Sequence, residues 1–217
     1  MQPETVIVLA TRNRGKTKEL QTLLETTGIT VKNLDDFGPI PEVEEDGVTF
    51  DENAYKKSSF YARILGLPAM ADDSGLVVEA LNGAPGVLSA RYAGENATDK
   101  ERCDKLLSEL SGQTDRKAAF ECVISIAVPT GAALTYEGRC DGVITEAPAG
   151  ENGFGYDPIF YYPPLGKTFA ELDPPEKNRV SHRGQALAEV VAEIDKVKTW
   201  IRQNIPIFEK VACQHDD

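Results

Sequence analysis

Val6-Ile7-Val8-Leu9-Ala10 runs directly into Thr11-Arg12-Asn13-Arg14-Gly15-Lys16. The first five residues read as a buried strand and the polar six as the turn that ends it. Leu20, Leu23 and Leu24 then share one face of a helix, expected from about Gly15 to Thr27 and stopping near Gly28. Strand, turn and helix in this order point to an α/β fold. The order also aims the first N–H groups of a helix beyond the strand end, where the helix dipole favours an anion. Thr11, Arg12, Asn13, Arg14 and Lys16 add donors and positive charge at the same place. A phosphate site and a merely basic surface turn both fit this stretch. A P-loop does not, because that motif needs Gly-x4-Gly-Lys-Ser/Thr and here Thr17 follows Lys16 after a single glycine.

Further along, Ile29 to Leu34 reads as a strand and Asp35 to Gly47 as an acidic loop. Thr49-Phe50-Asp51-Glu52 matches a capping box, opening a helix that stops at Gly66. Leu67 to Ala71 is expected to be a short strand ending in an Asp72-Asp73-Ser74-Gly75 turn, with a separate strand at Leu76 to Leu81. Asn82 to Asn96 is a glycine-rich loop region, and Thr98-Asp99-Lys100-Glu101 is a second capping box. Lys117 to Val128 and Ala133 to Arg139 form a hairpin around Pro129-Thr130-Gly131. One long helix is expected from about Gly184 to Gln203, with Leu187, Val190, Val191, Ile194, Val197 and Ile201 as its apolar stripe. Early alternation and a central hairpin together predict a mixed sheet. Residues 1–203 are expected to be a single domain and 204–217 a C-terminal tail.

The 217 residues carry 23 Lys and Arg against 35 Asp and Glu, a net charge of −12. That balance argues against nucleic acid as a partner, which wants a basic face. A locally basic cleft for a small phosphorylated ligand remains compatible with it. The four cysteines form no C-x-x-C pair and there are two histidines, so a zinc site is not expected. Cys122 and Cys140 stand where a hairpin could oppose them. No apolar run approaches the ~20 residues of a membrane span, and no signal peptide is expected. Reduced thiols in a cytoplasmic protein are the simplest account.

Four further stretches carry chemistry. Asp72 and Asp73, adjacent at an expected strand end, repel each other, and Mg²⁺ completed by substrate phosphates would relieve that. An Asp-Ser-Gly turn, in which the Asp side chain caps its own backbone, is the other reading, and this stretch alone favours it. Glu42-Val43-Glu44-Glu45-Asp46 is either a solvated loop or a source of a carboxylate that reaches the same metal. In Gly153-Phe154-Gly155-Tyr156-Asp157-Pro158 the glycines permit close backbone approach, and Phe154 and Tyr156 offer planar faces to a base or else plug the core. Lys177-Asn178-Arg179-Val180-Ser181-His182-Arg183 gathers positive charge before the last helix, where the dipole disfavours it. A bound anion would resolve that conflict.

With Glu44 to Phe50, Ala71 to Leu76, Gly83 to Gly86, Ser89 to Tyr92, Gly153 to Pro158 and Ser181 to Ala186 in register behind the opening turn, the chain resembles the inosine-triphosphate pyrophosphatase family. These enzymes remove noncanonical purine triphosphates: dITP, ITP and XTP. The resemblance implies an elongated mixed sheet flanked by helices, in two lobes with a central substrate cleft. It implies a cytoplasmic homodimer that uses Mg²⁺ and hydrolyses the triphosphate to monophosphate and pyrophosphate, keeping such nucleotides out of nucleic acids. By the family pattern Thr11, Arg12, Asn13, Arg14, Gly15 and Lys16 hold the triphosphate. Asp73 is the general base and a metal ligand, with Glu45 contributing to the metal site. Ser74, Phe154, Gly155, Tyr156, Asp157, Lys177, His182 and Arg183 contact substrate. Developing charge would spread over Lys16 and Lys177, and donors from Arg183 or nearby backbone would prefer the C6 keto group of hypoxanthine to the amino group of adenine. The alternative activity is a related pyrophosphatase acting on modified pyrimidine or ordinary triphosphates. A silent nucleotide binder is a third reading, against which Asp73, Lys16 and Glu45 together argue.

Overall fold

Seven strands form one sheet, and their order follows from which segments can be buried on both faces. The computed structural model describes residues 5–24 and 27–205, without the side chains of Arg14, Glu19 and Leu23. The expected Arg14 contact, the Leu23 position on the helix face, Cys213 and the tail from residue 206 on therefore lie outside the described residues. The strands are Val6–Leu9 (β1), Thr30–Asn33 (β2), Ala69–Val78 (β3), Lys117–Ala127 (β4), Ala133–Ile144 (β5), Phe160–Tyr162 (β6) and Lys167–Thr168 (β7). They lie in the order β2-β1-β3-β4-β5-β6-β7. β1 is parallel to β2 and β3, and every later pairing is antiparallel. The mixed α/β sheet expected from the sequence is the observed one.

The helices are Arg14–Leu24 (α1), Phe50–Leu65 (α2), Asp99–Glu109 (α3), Pro174–Val180 (α4), His182–Ala192 (α5) and Ile194–Asn204 (α6). Alternate residues of β1 serve opposite faces. Ile7 and Leu9 pack with Leu20 and Leu24 of α1, Leu187 and Val190 of α5, and Val197 and Ile201 of α6. Val8 and Ala10 pack with Tyr61 and Ala62 of α2 on the other side. A third cluster, around Phe120, Phe160 and Phe169, joins the far strands to Cys103, Leu106 and Leu110.

Three expectations change. Asp72-Asp73-Ser74-Gly75 is not a turn but the middle of β3, a continuous ten-residue strand paired along its whole length with β4. The expected long last helix is two, α5 and α6, broken at Glu193 while the apolar stripe continues across the break. The basic stretch is itself partly helical, because Asp173 caps α4 in a capping box with Glu176. Elsewhere local chemistry decides. Thr49 Oγ1 accepts from Glu52 N and opens α2, although Glu52 reaches back to Val48 N rather than to the cap. Gly66, at φ 65°, ends that helix. Thr98 and Glu101 close the second capping box at α3. Cys103, Cys122 and Cys140 are free and buried. The register puts Cys122 opposite Gly138 and Cys140 opposite Phe120, so the two strand thiols are not cross-strand partners.

α5 approaches β5 closely at Gly138, where an added Cβ would fall 2.0 Å from the His182 carbonyl oxygen and 2.8 Å from Ala186 N. Both are backbone atoms of α5 and cannot step aside. Gly138→Ala should lower unfolding free energy by about 2 kcal/mol, an overpacking cost, in urea denaturation.

Candidate active site

Consecutive residues of a strand leave by opposite faces, and β3 buries two consecutive carboxylates. Each meets its own cations. Asp72 receives Lys16 of α1 at 2.9 Å and Arg183 of α5 at 3.2 Å. Asp73 meets Lys57 of α2 at 3.1 Å and Nδ2 of Asn53 at 3.3 Å. The repulsion between the two carboxylates is therefore answered first by lysine and arginine. Burial alone would raise the Asp72 carboxyl, but Lys16, Arg183 and Lys57 outweigh it and hold the group far below the usual carboxylate range. At Asp73 burial wins, helped by Glu45, and the carboxyl is pushed up despite Lys57 and Lys16.

Lys57 is the residue the sequence reading missed. Its ammonium, also buried, donates to Glu45 Oε2 at 3.1 Å, Asp73 Oδ1 at 3.1 Å and the Asp72 carbonyl at 2.8 Å. Asp73, Asp72 and Glu45 together overcome its desolvation and raise its pKa, so it stays charged. A signal was present. Phe50, Asn53, Ala54, Lys57 and Tyr61 lie at helical spacing on one buried stripe of α2, and two of the five are polar. A polar group on such a stripe needs a buried partner.

The opening turn closes on itself. Asn13 Oδ1 accepts from Gly15 N at 2.9 Å and Lys16 N at 3.1 Å, capping α1. Asn13 N in turn donates to Thr11 Oγ1 at 3.2 Å. Those two first-turn amides are thus already satisfied, and among the described side chains of α1 it is Lys16 that brings positive charge to the cleft. Arg12 points aside, donating to the Ile40 carbonyl at 2.8 Å and lying 3.6 Å from Glu42.

At the other end of the cleft, Phe154 lines the wall while Tyr156 does not offer its ring. Tyr156 is 3% exposed within the Phe120 cluster, and its hydroxyl donates to the Ser89 carbonyl at 3.0 Å. Burial raises that phenol. Lys177 Nζ stands 4.4 Å from the Phe154 ring centre and donates to Asp157 Oδ2 at 2.7 Å. It belongs to this aromatic end. The lysine that joins Lys16 beside Asp73 is Lys57, not Lys177.

Ser181 links the two short helices of this wall. Its backbone N–H donates to the Lys177 carbonyl at the end of α4, and its hydroxyl accepts from Gly184 N at the start of α5. Lys177 thus sits in a last turn, which favours a cation. His182 stacks on Phe120 with centroids 4.7 Å apart and planes 12° apart, and its Nδ1 is buried without a hydrogen-bond partner among the described residues. Burial, then Arg183 and Lys177, lower its pKa well below the usual imidazole value, so it is neutral. The Arg183 guanidinium donates to Asp72 Oδ2 and, at 3.0 Å, to Ser74 Oγ.

A cleft of about 500 Å³ connects both ends, lined among others by Lys16, Lys57, Asp73, Phe154 and His182. α1 meets the aromatic loop directly, since a Cβ on Gly15 would lie 3.1 Å from the Phe154 ring. No group of three or more His, Cys, Asp or Glu suited to a metal occurs among the described residues. Glu45 and Asp73 nonetheless both line the cleft with hard oxygen donors, the point between them being held by the Lys57 ammonium. Two carboxylates with room for phosphate oxygens suit Mg²⁺ better than a softer ion. Glu44 is exposed, while Glu42 and Glu45 of this loop line the cleft, and Glu45 is the one that meets Lys57.

The Ham1 family model matches residues 7–193. The chain belongs to the Ham1 family. It is 62% identical, over 98% of its length and 95% of the relative's, to a dITP/XTP pyrophosphatase of Desulfotalea psychrophila. It is 60% identical to one of Syntrophobacter fumaroxidans, over 90% and 84% of the two chains. Among solved structures, a HAM1 protein from Coxiella burnetii superposes with a TM-score of 0.83 at 48% identity, covering 88% of this chain and 99% of its own. The Staphylococcus aureus Ham1 protein gives 0.82 at 44%, covering 89% and 100%. The family resemblance read from the motifs is thus the family found.

Two outcomes follow from the buried charges. Asp72→Asn leaves Lys16 and Arg183 without their carboxylate and should lower stability by about 3 kcal/mol in urea denaturation. A histidine buried neutral has a depressed folded-state pKa, so the unfolded chain binds more protons and stability falls as pH drops below about 6.5. Thermal melts from pH 8 to 5 should show that loss, and His182→Gln should flatten it.

Proposed function

We propose that this protein hydrolyses noncanonical purine nucleoside triphosphates, dITP, ITP and XTP, to the monophosphate and pyrophosphate, in a Mg²⁺-dependent reaction that keeps them out of nucleic acids. The reading includes a cytoplasmic homodimer with neither a nucleic-acid nor a membrane partner. The observation that carries it is a single cleft with two lysines and a proton-accepting carboxylate at one end and an aromatic face beside a neutral histidine at the other. The names of the curated relatives support the same substrate class.

In this reading Lys16 and Lys57 face the triphosphate and counter the charge that develops as pyrophosphate departs. Asp73 accepts the proton of the attacking water, whose oxygen bonds to phosphorus as the bond to pyrophosphate breaks. Its raised pKa makes it a better base than an exposed aspartate. Glu45 and Asp73 are the residues that would hold Mg²⁺, and the chemistry supplied there is polarisation of phosphoryl oxygens and a lowered pKa for the water. Asn13, with Thr11 behind it, fixes the turn that carries Lys16.

The purine stacks on Phe154, and His182, which lines the same cleft, reads its edge. A neutral imidazole that turns its N–H to the cleft donates to the keto oxygen of hypoxanthine or xanthine and finds no acceptor at the amino group of adenine. Arg183 is held by Asp72 and Ser74, and it supports the base end from behind while adding its positive charge. The sites of Gly155, Tyr156 and Asp157 act through the shape of the loop that presents Phe154.

The test is product analysis with Mg²⁺ and equal concentrations of ITP, XTP, dUTP, ATP and GTP. Monophosphate and pyrophosphate from ITP and XTP, with little from the rest, is the expected result. Diphosphate with phosphate, or a preference for dUTP, overturns it. Asp73→Asn should lower kcat by at least about 100-fold with nucleotide still bound in a titration. His182→Ala should narrow the ITP-to-ATP ratio of kcat/KM by about tenfold.

A further inference from the structure

The 3₁₀ turn Gly86–Arg91 lies outside every role assigned above, yet it touches three walls of the cleft. Its centre is Ser89, 7% exposed. Ser89 Oγ accepts from Leu76 N at 2.9 Å and donates to the Gly86 carbonyl at 2.6 Å. Leu76 lies on β3, three residues after Asp73. The Ser89 carbonyl accepts from the Tyr156 hydroxyl. Two residues on, Arg91 donates to the Glu45 carbonyl at 3.1 Å. Between them, the Ala90 carbonyl accepts from Arg102, which pairs with Asp99, whose Oδ2 accepts from Gly155 N at 2.8 Å. The seat is tight, since a Cβ on Gly75 would come within 2.5 Å of both the Gly86 carbonyl oxygen and Ser89 Oγ.

We propose that Ser89 is a positioning residue that ties base recognition to hydrolysis, by fixing the strand of Asp73 against the loop of Phe154 through Tyr156. The inference rests on the function proposed above. Tyr156 explains why the bridge works. It is the residue of the aromatic loop whose ring is locked in the core, so its hydroxyl reports the loop's height above β3. Base and phosphorus are joined through the ribose by a short chain of fixed bond lengths, so with the base held on Phe154 an error in that height moves phosphorus relative to Asp73. Near-attack geometry is sensitive to such errors.

Ser89→Ala cuts the bond to β3, and Tyr156→Phe cuts the bond to the loop while keeping the ring. The tests are kcat and KM for ITP and ATP, with melting temperature recorded for each variant and assays run well below it. Both variants should lose about tenfold in kcat for ITP and narrow the ITP-to-ATP ratio of kcat/KM. The double variant should lose no more than the worse single one, because both cut one bridge. Unchanged kcat and ratio with a lower melting temperature would make Ser89 structural only and overturn the proposal. Additive losses would overturn it as well, by separating the two bonds. Tyr156→Phe keeps the test decisive if Ser89→Ala does not fold. The wild-type protein is assayed first. If it fails to convert ITP to monophosphate and pyrophosphate, both readings fall, whereas an active wild type with unmoved ratios in the variants removes this one alone.

Discussion

Burying two adjacent carboxylates in a central strand is the constraint around which this molecule is arranged. Each buried anion costs several kcal/mol unless a cation and hydrogen bonds come with it. β3 solves this from both faces at once. α1 and α5 deliver Lys16 and Arg183 to Asp72, and α2 delivers Lys57 and Asn53 to Asp73. Three of the helices that cover the sheet therefore also supply its charges. Packing and electrostatics demand the same placement, and this consistency is what lets one sequence specify one structure.

The two carboxylates end in opposite states because their surroundings differ. Asp72, enclosed and doubly paired, is kept ionised and inert as a base. Asp73 shares its lysine with Glu45 and is left with a raised affinity for a proton. A pair of titratable groups pushed apart by environment is how acid and base roles are divided in sites of this kind. The cleft then extends from this charged end to Phe154, where Lys177 and His182 stand on helices that face the ring or the cavity.

Much of this was legible in the chain. Caps are local chemistry, so Thr49, Thr98 and Gly66 marked their helix ends correctly. The hairpin at Pro129-Thr130-Gly131 and the mixed sheet also followed from pattern alone. The Asp72-to-Gly75 stretch failed because its composition is that of a turn, and only pairing with β4 and burial by helices on both sides make it strand. The break at Glu193 was hidden because the apolar stripe runs on through α6. Lys57 was overlooked because a lysine on a helix is ordinarily solvated, and its partners are 12 and 16 residues away in sequence. Tyr156 and Phe154 look alike in sequence, and Tyr156 is the one buried in the Phe120 cluster, its hydroxyl paired with a backbone carbonyl 67 residues earlier.

Ser181 carries a consequence of its own. One side chain and its own amide end α4 and begin α5, and Gly184 lies so near Asn178 that a Cβ would overlap its carbonyl. The two short helices are thereby welded at an elbow with no slack. Lys177 on one arm and His182 with Arg183 on the other form a single rigid jaw. Its parts cannot be retuned separately, so a lineage altering its nucleotide preference would have to do so by exchanging side chains on a fixed frame rather than by reshaping the frame itself.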